Sequence, residues 1–168
     1  MLRSKQVTNT VFLLLLFYAV FQQWYYYGKL PQRVAVHFNF QGTADGWVAR
    51  QSLPLISLGT IVFLALLFWG ISKLIRRVPD NLINLPNNTY WLASERREQT
   101  YRDIYLYLMW MANLTILFML VLFQDLIRFN LSAGIHSLRF WPVVVFYILA
   151  ISLLSLKMIL RFSKTPSG

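Results

Sequence analysis

The chain has 168 residues, 57% of them hydrophobic and 13% charged, with a formal net charge of +10 and no cysteine. That is too little polar surface to cover a soluble domain of this size. The missing cysteines exclude disulfides and thiolate metal sites.

Four uncharged apolar runs set the architecture, at residues 6–28, 51–72, 104–124 and 140–156. Crossing the hydrocarbon core takes about 20 apolar residues, and three runs reach that outright. In the fourth, Lys157 can snorkel from a helix that continues through Met158, Ile159 and Leu160. The expected fold is an all-α membrane protein, a single integral domain over 1–168. Its four-helix transmembrane bundle has spans at about 7–27, 52–74, 103–126 and 139–161. The first run follows Arg3 and Lys5, as in a signal peptide, yet it is long for one and no A-x-A-like cleavage site follows. "QQWYYYG" reads as an interfacial aromatic belt, so the run is an uncleaved anchor.

Between the first two spans lies "VAVHFNFQGTADGW", residues 34–47. Val34, Val36, Phe38 and Phe40 alternate with Arg33, Ala35, His37 and Asn39, the period-two pattern of a half-buried strand. "QGTADG" supplies a turn, with Gly42 and Gly46 expected at positive φ and Asp45 bonding its own backbone. "WVAR" then pairs back. A lone hairpin is marginal in water, so this β-ribbon is expected to rest on Trp24, Tyr25, Tyr26 and Tyr27. Ser52 is the expected cap of the second span, with Pro54 tolerated in its first turn.

After the second span, "NLPNNTYW" is rich in turn formers, and Tyr90 and Trp91 suit the membrane interface. Ser94 is placed to cap a helix that runs on into the third span, with Glu98 and Arg102 spaced for an ion pair. From Ser94 to Asp125 such a helix is about 45–50 Å long. Its first turns must therefore project beyond the bilayer core. Asn113 lies near the middle of the third span, where an amide bonds across to another helix. Asp125 and Arg128 are spaced for an ion pair at its far end. "NLSAGIHS" is short enough to make spans three and four antiparallel neighbours.

Basic residues sort by side. The two termini and the connection between spans two and three carry 11 of the 16 Lys and Arg; the other two connections carry five. The positive-inside rule places both termini in the cytoplasm and residues 28–51 outside, making the ribbon extracytoplasmic. Topology thus accounts for the charge that would otherwise suggest nucleic acid, and no nucleic-acid partner is expected. The expected location is the cell membrane, multi-pass.

At the ribbon a resemblance appears. "LPQRVAVHFNFQGTADGW" resembles the signature of a bacterial and archaeal membrane family of unknown function, the domain of unknown function numbered sixteen forty-eight. Pro31, His37, Phe38, Gly42, Asp45, Gly46 and Trp47 fit its pattern, with Ala35 where a second proline is common. "INLPNNTYWLASERRE" is similar to a second family stretch through Pro86, Tyr90, Trp91, Glu95 and Arg97, so the signature spans about 30–98. The domain also occurs in larger proteins of the SdpI type, some of which act in immunity to secreted toxins. Those proteins have additional spans, so the resemblance implies the membrane module and does not carry immunity with it.

His37, Asn39, Asp45 and Trp47 are the candidate binding residues. His37 and Asp45, with His136 on the same side, would suit zinc with an open position. The plainer reading gives Asp45 to the turn and His37 to a neighbouring carbonyl. Arg96 and Arg97 read as surface anchors or as a seat for anionic headgroups. No H-E-x-x-H, G-x-S-x-G or phosphate-cradling glycine loop is present. A transporter of this size, without inverted repeats or ionisable residues through its spans, is equally unsupported. A non-catalytic binding or regulatory module remains, with no cofactor, the bilayer around it and a protein or secreted peptide at its outer face. An immunity-like role is one form of that reading. A metal-dependent membrane enzyme is the alternative.

Overall fold

A computed structural model describes residues 5–132 and 140–165. Helix α1 (Lys5–Tyr27) leads into a two-stranded antiparallel ribbon, β1 (Arg33–Phe38) and β2 (Ala44–Ala49). Then come α2 (Ser52–Leu74), short 3-10 turns at Ile75–Arg77 and Asp80–Leu82, the one-turn α3 (Asn88–Trp91), α4 (Arg97–Leu131) and α5 (Phe140–Ser163). Four of the helices, α1, α2, α4 and α5, are long and apolar enough to cross a membrane. The chain is a four-helix membrane bundle with a small sheet between its first two spans. Both ends of the described chain lie at one end of the bundle, here the terminal end, and the ribbon lies at the other.

Helix α4 is the hub, because α1, α2 and α5 each pack against it. Half of its most apolar window is buried, against none of α5's. The central seam joins Ala19, Ile61, Ala65, Ile116 and Leu120, where small side chains on α1 and α2 let the backbones approach. Polar groups bridge the helices where they are buried. Asn113 Nδ2 donates to Thr8 O over 3.1 Å, the cross-helix bond expected of an amide in mid-span. Tyr105 OH donates to Asn9 Oδ1 (2.7 Å), and Thr115 Oγ1 lies 3.0 Å from Tyr147 OH, which ties α4 to its antiparallel neighbour α5.

At the terminal end α4 outruns α1, as its length requires. Residues 78–96 fold over the projecting turns and build a second core from Ile83, Leu85, Trp91, Tyr101, Tyr107 and Phe162. Trp91 is therefore a core residue rather than an interfacial anchor. Its indole N–H donates to Phe162 O over 2.7 Å. Asn87, left-handed at φ 52°, donates through Nδ2 to Phe162 O and Ser163 O. Together they close the carbonyl end of α5.

Four local expectations at the helix starts and ends change. Ser52 is the first residue of α2 and caps nothing: Gln51 is already helical at φ −64° and makes no side-chain bond. The turn bond from Leu53 N to Arg50 O takes over the role. Ser94 likewise lies ahead of the α4 start, and its hydroxyl donates to Glu95 Oε1 instead. Glu98 does not pair with Arg102, because Arg76, carried in by the 3-10 extension of α2, donates Nη1 to both of its oxygens (3.2 and 2.9 Å). At the far end α4 continues through Leu131, so Arg128 is helical, not part of a loop.

Candidate functional site

The ribbon is built around His37. Ala35 opposes Trp47, His37 opposes Gly46 and Phe38 opposes Ala44, so the pairing slips once on each side of the histidine. Val36 is the extra residue on β1, and Asp45 is the extra one on β2. Paired bulges bend a ladder locally and re-aim its side chains. The outcome is an Asp45 carboxylate delivered to His37, with Nδ1 2.5 Å from Oδ1. In the neutral imidazole, an Nδ1–H donated to that carboxylate leaves Nε2 as the lone-pair nitrogen.

Each glycine of the turn has its own reason. Gly42 sits at φ +81°, a conformation that favours glycine. Gly46 does not have positive φ, contrary to expectation. A Cβ there would stand 2.6 Å from His37 Cβ, so glycine is required by the cross-strand histidine itself. The turn's side-chain bonds come from Asn39, not Asp45. Asn39 Oδ1 accepts from Gln41 N and Thr43 N (3.1 and 2.9 Å), and its backbone pairs with Thr43 and Gly42. Asp45 is thereby spared for the histidine.

Docking also differs from the expected aromatic platform. Trp24, Tyr25 and Tyr27 are exposed, and of the four only Tyr26 joins the core beneath the ribbon. That core is Leu30, Val34, Leu53 and Ile127, from the ribbon, α2 and α4. Phe38 meets Phe129 edge-on with centroids 4.8 Å apart. The clamp is Asn130. Its Oδ1 accepts from Ala35 N (2.7 Å) and its Nδ2 donates to Ala35 O (3.0 Å), so one amide acts as a third strand on β1's open edge. Ala35 is fully buried for this reason, although the alternation placed it on the polar face. The sequence reading missed Asn130; the signal was an amide at the very end of a membrane helix, one residue before its last.

The assembled face is polar above and aromatic beside. The His37 and Asp45 side chains are 73% and 44% exposed. Phe40, at the ribbon tip, is 85% exposed and meets Trp141 of α5 with centroids 6.2 Å apart. A cavity between tip and α5 is lined by His37, Asn39, Phe40, Gln41, Phe140 and Trp141, among others. Trp47 is half exposed and lines a separate cavity with Arg33, Thr43 and Asn130. Pro31 lines that one as well. Among the described residues, no three metal-ligating side chains converge. Asp45 stands behind Nδ1 as the partner that orients the ring, and His136 lies outside the described residues.

Residues 11–61 match the family model of a domain of unknown function, DUF1648. The DUF1648 match starts within α1, takes in the whole ribbon and ends within α2. It therefore contains His37, Asn39, Gly42, Asp45, Gly46 and Trp47, but not Asn130. The second family-like stretch, at 83–98, lies beyond the DUF1648 match. There Glu95's carboxyl is held below its ordinary range by its own backbone N–H and by the Ser94 hydroxyl. Arg97 pairs with Asp80 at 2.5 Å, and Arg96 donates to Tyr90 O while its guanidinium lies over the Tyr90 ring. Asp125 and Arg128 line one cleft with Gln124 but do not form the ion pair their spacing suggests. No curated protein and no solved structure matches the chain.

Proposed function

We propose that this protein is a membrane-bound recognition module whose ribbon binds a protein or secreted peptide on the outer side of the cell membrane. The charge asymmetry of the loops supports an orientation with both termini in the cytoplasm and the ribbon outside. The observation that carries the binding reading is the exposed His37–Asp45 pair, on a ribbon held rigid by two bulges and the Asn130 clamp. Rigidity matters because a preorganised surface loses little conformational freedom when it binds. The ligand chemistry that fits is an apolar or aromatic side chain against Phe40 and Trp141, with a hydrogen-bond donor for His37 Nε2. At the opposite end, Arg96 and Arg97 are engaged within the protein, and headgroup contact falls to Arg77 and Lys164.

A photo-crosslinking residue at Phe40, in native membranes, tests the reading. One partner band is expected, lost in His37→Ala and Asp45→Ala at unchanged protein level. Bands indifferent to both substitutions would sink it. Orientation is checked by a single cysteine at Thr43, which should react with an impermeant maleimide in intact cells.

One observation favours a second reading. A carboxylate on Nδ1 is how proteins orient a histidine whose Nε2 holds a metal. A metal-dependent membrane enzyme would then use His37 as a ligand. Purified protein that holds stoichiometric zinc, lost in His37→Ala, would replace the first reading with this one.

A further inference from the structure

A second polar cluster lies within the bundle, away from the ribbon's His37. Gln22 of α1 is 1% exposed. Its Nε2 donates to Leu120 O (3.2 Å) and to Gln124 Oε1 (3.0 Å). This leaves Gln22 Oε1, an acceptor, and Gln124 Nε2, a donor, buried without partners. Folded proteins pair such groups, so the two amides are half of an interaction. Both residues line a cleft bordered by α1, α4 and Val143 of α5. Arg128 stands at its ribbon end, exposed and in no ion pair among the described residues.

The order of these groups along α4 identifies the occupant. At 1.5 Å per residue, Arg128 stands about 6 Å beyond Gln124, and Leu117 stands about 10 Å to the other side. From the ribbon end inward the cleft thus presents a cation, an amide donor and then an apolar wall of Leu117 and Val121. A bilayer phospholipid has the same sequence: phosphate, ester carbonyl, acyl chain. A peptide segment is a poorer match, because at this depth its backbone must satisfy its own hydrogen bonds and has none to spare for the orphaned amides.

We propose that the cleft binds one phospholipid of the ribbon-side leaflet. The phosphate pairs with the Arg128 guanidinium, which suits phosphate oxygens through its fork of donors. Gln124 Nε2 donates to an ester carbonyl, a water trapped beneath the head donates to Gln22 Oε1, and a chain lies along Leu117 and Val121. The Asp125 carboxylate also lines the cleft.

Native mass spectrometry of the full chain in mild detergent tests this, with two variants chosen to leave the fold intact. Val121 is a 40%-exposed lipid-facing position, so Val121→Trp fills the cleft without touching the core. Wild type should retain one phospholipid, Arg128→Gln should retain it about tenfold less, and Val121→Trp should lose it while melting at the temperature of delipidated wild type. Adding phospholipid to delipidated wild type should raise the melting temperature, while inorganic phosphate at the same concentration should not. The proposal fails if wild type carries no lipid, if Arg128→Gln carries as much, if phosphate alone stabilises equally, or if the retained mass is a peptide.

Discussion

Trp91 at the terminal end is 5% exposed and meets Phe162 edge-on, whereas Trp47 on the ribbon is 49% exposed. Charged groups near them follow the same division. Arg97, Arg76 and Arg161 are spent on Asp80, Glu98 and Asp103, while the ribbon's Asp45 is spent on a histidine that still faces solvent. One end of the bundle uses its polar and aromatic residues to close the fold. The other uses a few backbone-directed bonds to hold chemistry on display. A group already satisfied from within has little left to offer a ligand, so the difference points to where recognition belongs.

Substitutions can break this contrast, and the largest effect is expected at the terminal end. Trp91→Ala removes a buried indole and its bond to α5, and should lower unfolding free energy by about 3–5 kcal/mol. Reactivity of a cysteine at Thr43 should not change, since the ribbon docks elsewhere. Asn130→Ala should cost about 1–3 kcal/mol by leaving Ala35 N–H and C=O buried and unpaired. Here the same cysteine should become more exposed to proteolysis and labelling, with the helices still inserted. Gly46→Ala should cost a similar amount through its contact with His37 Cβ, about 1–3 kcal/mol. Pairing it with His37→Gly should recover much of that loss, which a double-mutant cycle would read directly.

Smaller effects sharpen the comparison. Asn39→Ala removes the acceptor for two backbone N–H groups and should cost about 1 kcal/mol. Asp45→Ala, on an exposed pair, should cost less than that by thermal melting in detergent. A larger loss for Asp45 than for Asn39 would return the turn to the aspartate. His37→Ala should stay within about 0.5 kcal/mol of wild type while abolishing the partner crosslink. If binding falls only as far as the folded fraction, the pair is structural.

Much of this was legible in the residues. The period-two run over 33–40 and the turn chemistry of "QGTADG" place the ribbon, and they mark His37 and Asp45 as its polar groups. Gly46 lies beyond local reading: turn chemistry expects a positive φ there, which the residue does not adopt. A cross-strand clash cannot be seen until the register is known, and two bulges set that register. Trp91 is similar. "TYW" beside a membrane span suits the interface equally well, and only the fold-back of 78–96 onto α5 shows that the indole is enclosed.

By itself the sequence determined the number of spans, the ribbon between the first two and the outward placing of His37. Those follow from hydrocarbon thickness, side-chain period and turn stereochemistry, each a property of a short stretch of chain. The tertiary structure decided which side chains are consumed. Asn130 lies 95 positions from Ala35, Asn87 75 from Phe162, and Gln22 102 from Gln124. Buried backbone groups need partners wherever the packing of α4 brings them, and no local pattern records that choice.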